Sequence, residues 1–310
     1  MSDSPLVNCH THLELGWLAD ICPQPPGEPF TDWIFGLIQR RIAAQKDGSE
    51  PDLLRQSIED GIESLLADGL THIGDIANSG FSIEPLLASG LSGVVYLEVI
   101  GSVREWGLAS FERVRDLLEK HRPHERNGMR IGISPHAPYS THPDAFRKVV
   151  DYALKEDVPL CVHLAESPYE HQALNEGTGP FVDNAIRMGV EPPPIPKLSS
   201  VKYMESLGIL ETRPLLVHMV HISDEDLDII AASGAKIAHC PRSNQLLQSG
   251  RMPLEKMLAR NIPVAIGTDS LASSPSLDIH EEAQAAITMH QGHVGQNAIL
   301  PLLHNTEVLS

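Results

Sequence analysis

Two histidines two residues apart close the first apolar run of the chain, in Val7-Asn8-Cys9-His10-Thr11-His12. On a strand, residues two apart project to one face, so His10 and His12 can offer two imidazoles to a single metal ion. Three further stretches share that setting, an apolar run ending on a side chain that ligates metals or moves protons. They are Cys161-Val162-His163-Leu164-Ala165-Glu166, Leu216-Val217-His218-Met219-Val220-His221 and Ile266-Gly267-Thr268-Asp269-Ser270. Each has an ordinary reading alone: two unrelated polar histidines, a ring buried against its neighbours, a helix N-cap at Asp269. Together, three neutral nitrogen donors and one carboxylate suit Zn2+ or Fe2+ with a position open for water, and the donor set does not choose between the two metals.

Such side chains need elements that bring distant strand ends together. Eight short apolar runs recur: Pro5 to Cys9, Leu70 to Ile76, Gly93 to Ile100, Met129 to Ser134, Pro159 to Leu164, Leu215 to Val220, Ala235 to Cys240 and Pro263 to Thr268. Nearly continuous apolar runs rich in Val, Ile and Leu are the signature of parallel strands covered on both faces. Helical periodicity lies between them, in Leu53 to Leu66, Phe111 to Leu118, Pro143 to Leu154 and Asp224 to Ala232, with Thr141 and Ser223 as expected N-caps. The proline-rich stretches Cys22 to Phe30 and Val190 to Lys197 are expected to be ordered loops. Eight βα units predict an α/β fold, a (β/α)8 TIM-like barrel in one domain over residues 1–310, with a doubly wound open sheet as the alternative. The candidate residues then fall at the carboxyl ends of the first, fifth, sixth and eighth strands, the face on which barrels build their sites.

Composition narrows the ligand. The 310 residues carry 23 Lys and Arg against 41 Asp and Glu, a formal charge of −18, so nucleic acid polymer and anionic membrane are excluded as expected partners and a small molecule is favoured. Cys9, Cys22, Cys161 and Cys240 form no C-x-x-C and no disulfide framework. No apolar stretch approaches the ~20 residues of a membrane span, and Met1-Ser2-Asp3-Ser4-Pro5 lacks the features of a signal peptide, which predicts a cytoplasmic protein.

In order along the chain, VNCHTHLEL, SPHAPYST, VHLAES, LVHMVH, HCPRSN and GTDSLASSPSLD resemble the metal-dependent amidohydrolase superfamily, in its branch of chlorohydrolases and deaminases of heterocycles and nucleosides. That resemblance implies that His10, His12, His163 and Asp269 bind one catalytic divalent metal, Zn2+ first and Fe2+ as the alternative. It further implies that Glu166 is a proton shuttle, His218 orients the attacking water, and Asp269 takes its proton. His221 matches no required position and is read as structural.

The HTHLEL segment, Phe30-Thr31-Asp32-Trp33-Ile34 and the GTDSLAS form are most similar to the aminofutalosine deaminases of menaquinone biosynthesis. Deaminases of adenosine, methylthioadenosine and S-adenosylhomocysteine share most of these motifs, and chlorohydrolases and other amidohydrolases of nitrogen heterocycles form the alternative. The resemblance implies substrate contact by His136. Trp17 and Trp33 are candidates for stacking on a flat ring, Arg104 for pairing with a substrate carboxylate, and Asn244 for orienting ligand or loop. One departure concerns the sugar: the acidic residue that reads the ribose diol in nucleoside deaminases has no counterpart in Ile34 to Arg41. A second concerns the termini, because the segments that build the family's accessory β-sandwich are not evident. A barrel without it exposes edges, and self-association into a homo-oligomer is the expected consequence. A non-catalytic barrel scaffold is the reading from another class, and it predicts loss of a ligand residue.

Overall fold

The computed structural model describes residues 4–310; Met1, Ser2 and Asp3, part of the stretch read as free of a signal peptide, lie outside them. Each of the eight apolar runs overlaps a strand: β1 Val7–Thr11, β2 His72–Ala77, β3 Ser92–Val99, β4 Met129–Pro135, β5 Cys161–Leu164, β6 Leu215–His218, β7 Lys236–His239 and β8 Val264–Ile266. They form two parallel sheets, β1 to β4 and β5 to β8, each in sequence order. Parallel bridges between Ile133 and Leu160 and between Thr11 and Asp269 join the sheets at both edges into a ring of eight. The ring is a barrel, not an open doubly wound sheet, and helices cover its outside.

The expected helices lie within Glu50–Ala67, Arg104–His121, Pro143–Glu156 and Asp224–Ser233. Ser223 caps the last of these reciprocally, its hydroxyl accepting from the Asp226 amide while the Asp226 carboxylate accepts from the Ser223 amide. Thr141 is not the cap of the third. Pro143 occupies the first helical position, which makes His142 the N-cap, and its Nδ1 accepts from the Asp144 amide at 3.1 Å. The Thr141 hydroxyl instead donates to the Val99 carbonyl.

Side chains alternate between two apolar layers. Ile73, Val95, Leu97, Ile131, Val162 and Leu216 face the helices, whereas Val7, Cys9, Val94, Tyr96, Cys161, Leu215, Val217 and Ala238 fill the barrel interior. Val308 and Leu309 join this interior layer and close the mouth at the strands' amino ends, where Lys236 at the start of β7 bonds the Ser310 carbonyl. The opposite mouth, at the carboxyl ends, is left for chemistry.

Candidate active site

Following the inward series one step further along three strands brings polar groups directly to that mouth. Val94 and Tyr96 lead to Glu98 on β3, Cys161 leads to His163 on β5, and Gly132 and Ser134 lead to His136 just past β4. The other residues arrive by exceptions to alternation. His10 and His12 have the parity opposite to the interior residues Val7 and Cys9, so the same-face argument alone would aim them away from the barrel. Between Asn8 and Thr11 β1 carries one more residue than β2, and this bulge re-aims the pair. His218, one residue past inward Val217, has φ of 73°, and Asp269 has φ of 60°, a left-handed backbone uncommon for residues other than glycine. Gly267 permits the close approach of β8 to β1: a Cβ there would lie 2.7 Å from the His10 Cβ and 2.8 Å from its amide nitrogen.

His10, His12, His163 and Asp269 converge on one point. His12 Nε2 lies 3.2 Å from His163 Nε2, and the Asp269 Oδ1 lies 3.6 Å from His10 Nε2 and 3.5 Å from His12 Nε2. Ligands about 2.0–2.1 Å from a tetrahedral zinc stand about 3.4 Å apart, so the spacing fits four donors around one ion. The His10 ring is fully buried and neither of its nitrogens has a hydrogen-bond partner. A buried polar ring without partners is costly in a core, and ligation of an ion supplies the missing interaction. Burial, reinforced by the neighbouring rings, pushes the His12 imidazole down to about 3 and that of His163 well below its usual range, which keeps both neutral as metal ligands must be. Burial would raise Asp269, but the imidazoles of His10 and His12 outweigh it and hold the carboxyl well below the usual range. Ser243 and Ser273 donate to its Oδ2 at 2.7 and 3.0 Å, leaving Oδ1 toward the histidines.

Glu166 and His218 form the second half of the site, with Glu166 Oε1 3.4 Å from His218 Nε2. Burial first, then the charges of Asp269 and Glu170, raise Glu166 well above the ordinary carboxyl range, which favours its protonated form. Glu170 fixes the loop that carries it by accepting from the Ala165 amide at 2.9 Å. Burial lowers His218 to about 4, and its Nδ1 bonds the Asn244 Oδ1 at 2.9 Å. An amide oxygen only accepts, so Nδ1 carries the proton and Nε2 presents a lone pair to the site.

These groups form one end of a cavity of about 510 Å³. Of the substrate-contact candidates, His136 and Trp33 line it, Trp33 with its indole N–H donating to the Ala272 carbonyl at 2.7 Å. Trp17, Arg104 and Asn244 do not line it. Trp17 packs against the cluster around Leu18 and Phe30, Arg104 pairs with Asp144 at 2.6 Å on the surface, and Asn244 acts on His218. His221 bonds the Ser249 carbonyl, away from the cavity. Glu98, Glu14 and Tyr139 line the cavity without having been expected. Glu98 was discoverable: it is the single charged residue in the run Gly93 to Ile100, and it stands near the carboxyl end.

A parallel barrel that gathers three imidazoles and an aspartate at its carboxyl mouth, beside a glutamate shifted toward its protonated form, defines a hydrolytic enzyme built around a metal site. The sequence agrees. The chain belongs to the amidohydrolase family, whose model matches residues 6–304. It is 34% identical over 304 residues to the aminodeoxyfutalosine deaminase of Deinococcus radiodurans, covering 93% of this chain and 68% of that one. It is 28% identical to the 5-methylthioadenosine/S-adenosylhomocysteine deaminase of Pelotomaculum thermopropionicum, covering 95% of this chain and 62% of the relative. The chain thus spans about two thirds of the length of these curated relatives. In fold it is similar to the zinc complex of atrazine chlorohydrolase from Arthrobacter aurescens TC1, with a TM-score of 0.82 at 19% identity over 99% of this chain and 70% of that one.

Proposed function

We propose that this chain is a metal-dependent hydrolase that deaminates adenine-type nucleosides, aminofutalosine-like substrates first and adenosine, methylthioadenosine and S-adenosylhomocysteine next. The observation that carries this is the placing of two buried carboxyls in one cavity, Glu166 pushed toward its protonated form and Asp269 toward its ionised form. Such a pair supplies an acid and a base at the same pH.

His10, His12, His163 and Asp269 would hold one divalent ion, Zn2+ first and Fe2+ as the alternative; when bound it supplies water activated for attack at neutral pH. The ionised Asp269 accepts one proton from the attacking water. His218, through the Nε2 lone pair that Asn244 leaves free, accepts a hydrogen bond from the same water and aims its oxygen at the amino-bearing carbon. Glu166 gives its proton to the adjacent ring nitrogen as the oxygen–carbon bond forms. The proton held by Asp269 passes to the amino group, the carbon–nitrogen bond breaks, and ammonia leaves. The hydroxyl proton of the adduct restores Glu166, so the ring ends as a carbonyl beside an N–H.

Where the cavity opens, Ile38, Ile42, Ile100, Trp106 and Met188 stay exposed, an apolar rim suited to a substituent carried beyond the sugar. Among the described residues no helix is long and apolar enough to cross a membrane. A cytoplasmic setting, and a single barrel domain over residues 1–310, complete the proposal. The test is ammonia release by the metal-loaded protein from aminodeoxyfutalosine, adenosine, methylthioadenosine and S-adenosylhomocysteine. Turnover of at least one is expected; chloride released from a chlorotriazine with no ammonia from any nucleoside would reassign the reaction.

A further inference from the structure

Glu98 is a buried carboxylate in the cavity wall that the chemistry above does not use. It follows Val94 and Tyr96 in the inward series of β3 and is 7% exposed. Its Oε2 accepts from the Asn78 side-chain amide at 2.8 Å. Oε1 has no partner within hydrogen-bond distance, and His136 Nε2 stands 3.9 Å away. Four carboxylates line the cavity among the described residues. Two, Glu166 and Asp269, belong to the reacting end. Glu14 has both oxygens taken by the Asn78 amide and by the Ser79 amide and hydroxyl. Glu98 is therefore the one with an oxygen left for a ligand.

Its position states what that ligand group is. On the inner side, His136 lies next to the metal end, its ring centroid 4.9 Å from that of His163 with the two planes tilted by 42°. On the outer side, Ile100, two residues further along the chain, belongs to the apolar rim. A molecule with its reacting carbon at Asp269 and its distal substituent at the rim must set its middle against Glu98. We propose that Glu98 is the sugar-binding residue, its free oxygen accepting hydrogen bonds from the vicinal ribose hydroxyls. This rests on the nucleoside reading above. A carboxylate oxygen is an acceptor, hydroxyl protons are its complement, and a site built around such a bond rejects analogues that lack the hydroxyl.

The experiment compares kcat/KM for the best ribonucleoside substrate with its 2′-deoxy and 3′-deoxy counterparts, in the wild type, Glu98→Gln and Glu98→Asp. The wild type is expected to favour the ribonucleoside by about ten- to hundredfold or more. Glu98→Gln should shrink that preference to a few-fold, chiefly by raising KM for the ribonucleoside, while the deoxy substrates change little. Glu98→Asp, which keeps the carboxylate on a shorter arm, should restore part of it. A wild type that treats ribo and deoxy substrates alike overturns the assignment without any variant. So does a Glu98→Gln protein that loses activity equally on all three, or one whose preference is intact. Absence of deamination on every nucleoside would instead bring down the functional reading, and this inference with it.

Discussion

The two ends of the barrel interior are built by the same strands and behave as opposites. Toward the amino ends, inward positions carry Val7, Cys9, Val94, Tyr96, Cys161, Leu215 and Val217, sealed by Val308 and Leu309. One step further along, the same series delivers Glu98, His136 and His163, with His10, His12, His218 and Asp269 folded in by a bulge and left-handed backbone. Alternation alone builds the apolar end at no conformational cost. The polar end needs exceptions to it, and unusual backbone conformations of this kind persist only where the surroundings over-determine them. The apolar layer therefore acts as the foundation that pays for local strain above it.

The separation can be broken from either side. Glu166→Gln should lower kcat by about 10²–10⁴-fold while metal content and thermal stability stay near wild type, read by steady-state ammonia release, metal analysis and melting. Leu215→Ala, in the apolar layer, should do the reverse: about 2–5 kcal/mol less stable to urea, with kcat per folded molecule unchanged. A Leu215→Ala protein that kept its stability and lost its chemistry would show that the two layers are not separable. Asn244→Ala leaves the His218 Nδ1 proton without its acceptor, and about a ten- to hundredfold loss of kcat with metal retained is expected, by analogy with partners that orient ligating histidines. Because burial raises Glu166 and the protonated form is the active one, kcat should fall on the alkaline side, about tenfold per unit above that raised value. Glu166→Gln, which has no such proton, should lack this limb in its residual pH profile. Arg104→Ala should leave KM unchanged and alter stability by at most about 1 kcal/mol, since the exposed pair with Asp144 lies off the cavity.

Much of the apolar end was legible, because buried parallel strands announce themselves as apolar runs and all eight were visible. The cluster of His10, His12, His163 and Asp269 was legible too, through the place of these residues at run ends and the order of motifs. The route by which His10 and His12 reach the site was not: a one-residue bulge is a relation between two strands, and neither strand's sequence records it. Cavity membership was equally hidden for residues chosen by chemical type. Trp17 and Arg104 have fitting side chains, yet packing and surface pairing put them elsewhere, and Asn244 stands behind His218 rather than in the cavity wall, whereas Glu98 follows from the parity of β3 once that strand's inward face is known. The Thr141 cap failed by one residue because Pro143 fixes where its helix begins.

The central claim, that one ion held by His10, His12, His163 and Asp269 serves a hydrolytic deaminase, is most directly tested by titrating metal-free protein with Zn2+ while following ammonia release from aminodeoxyfutalosine and adenosine. Activity should be absent without metal, rise in proportion to added zinc, and level off at one equivalent per chain. Full turnover in the metal-free protein, or activity still rising well beyond one equivalent, would contradict it.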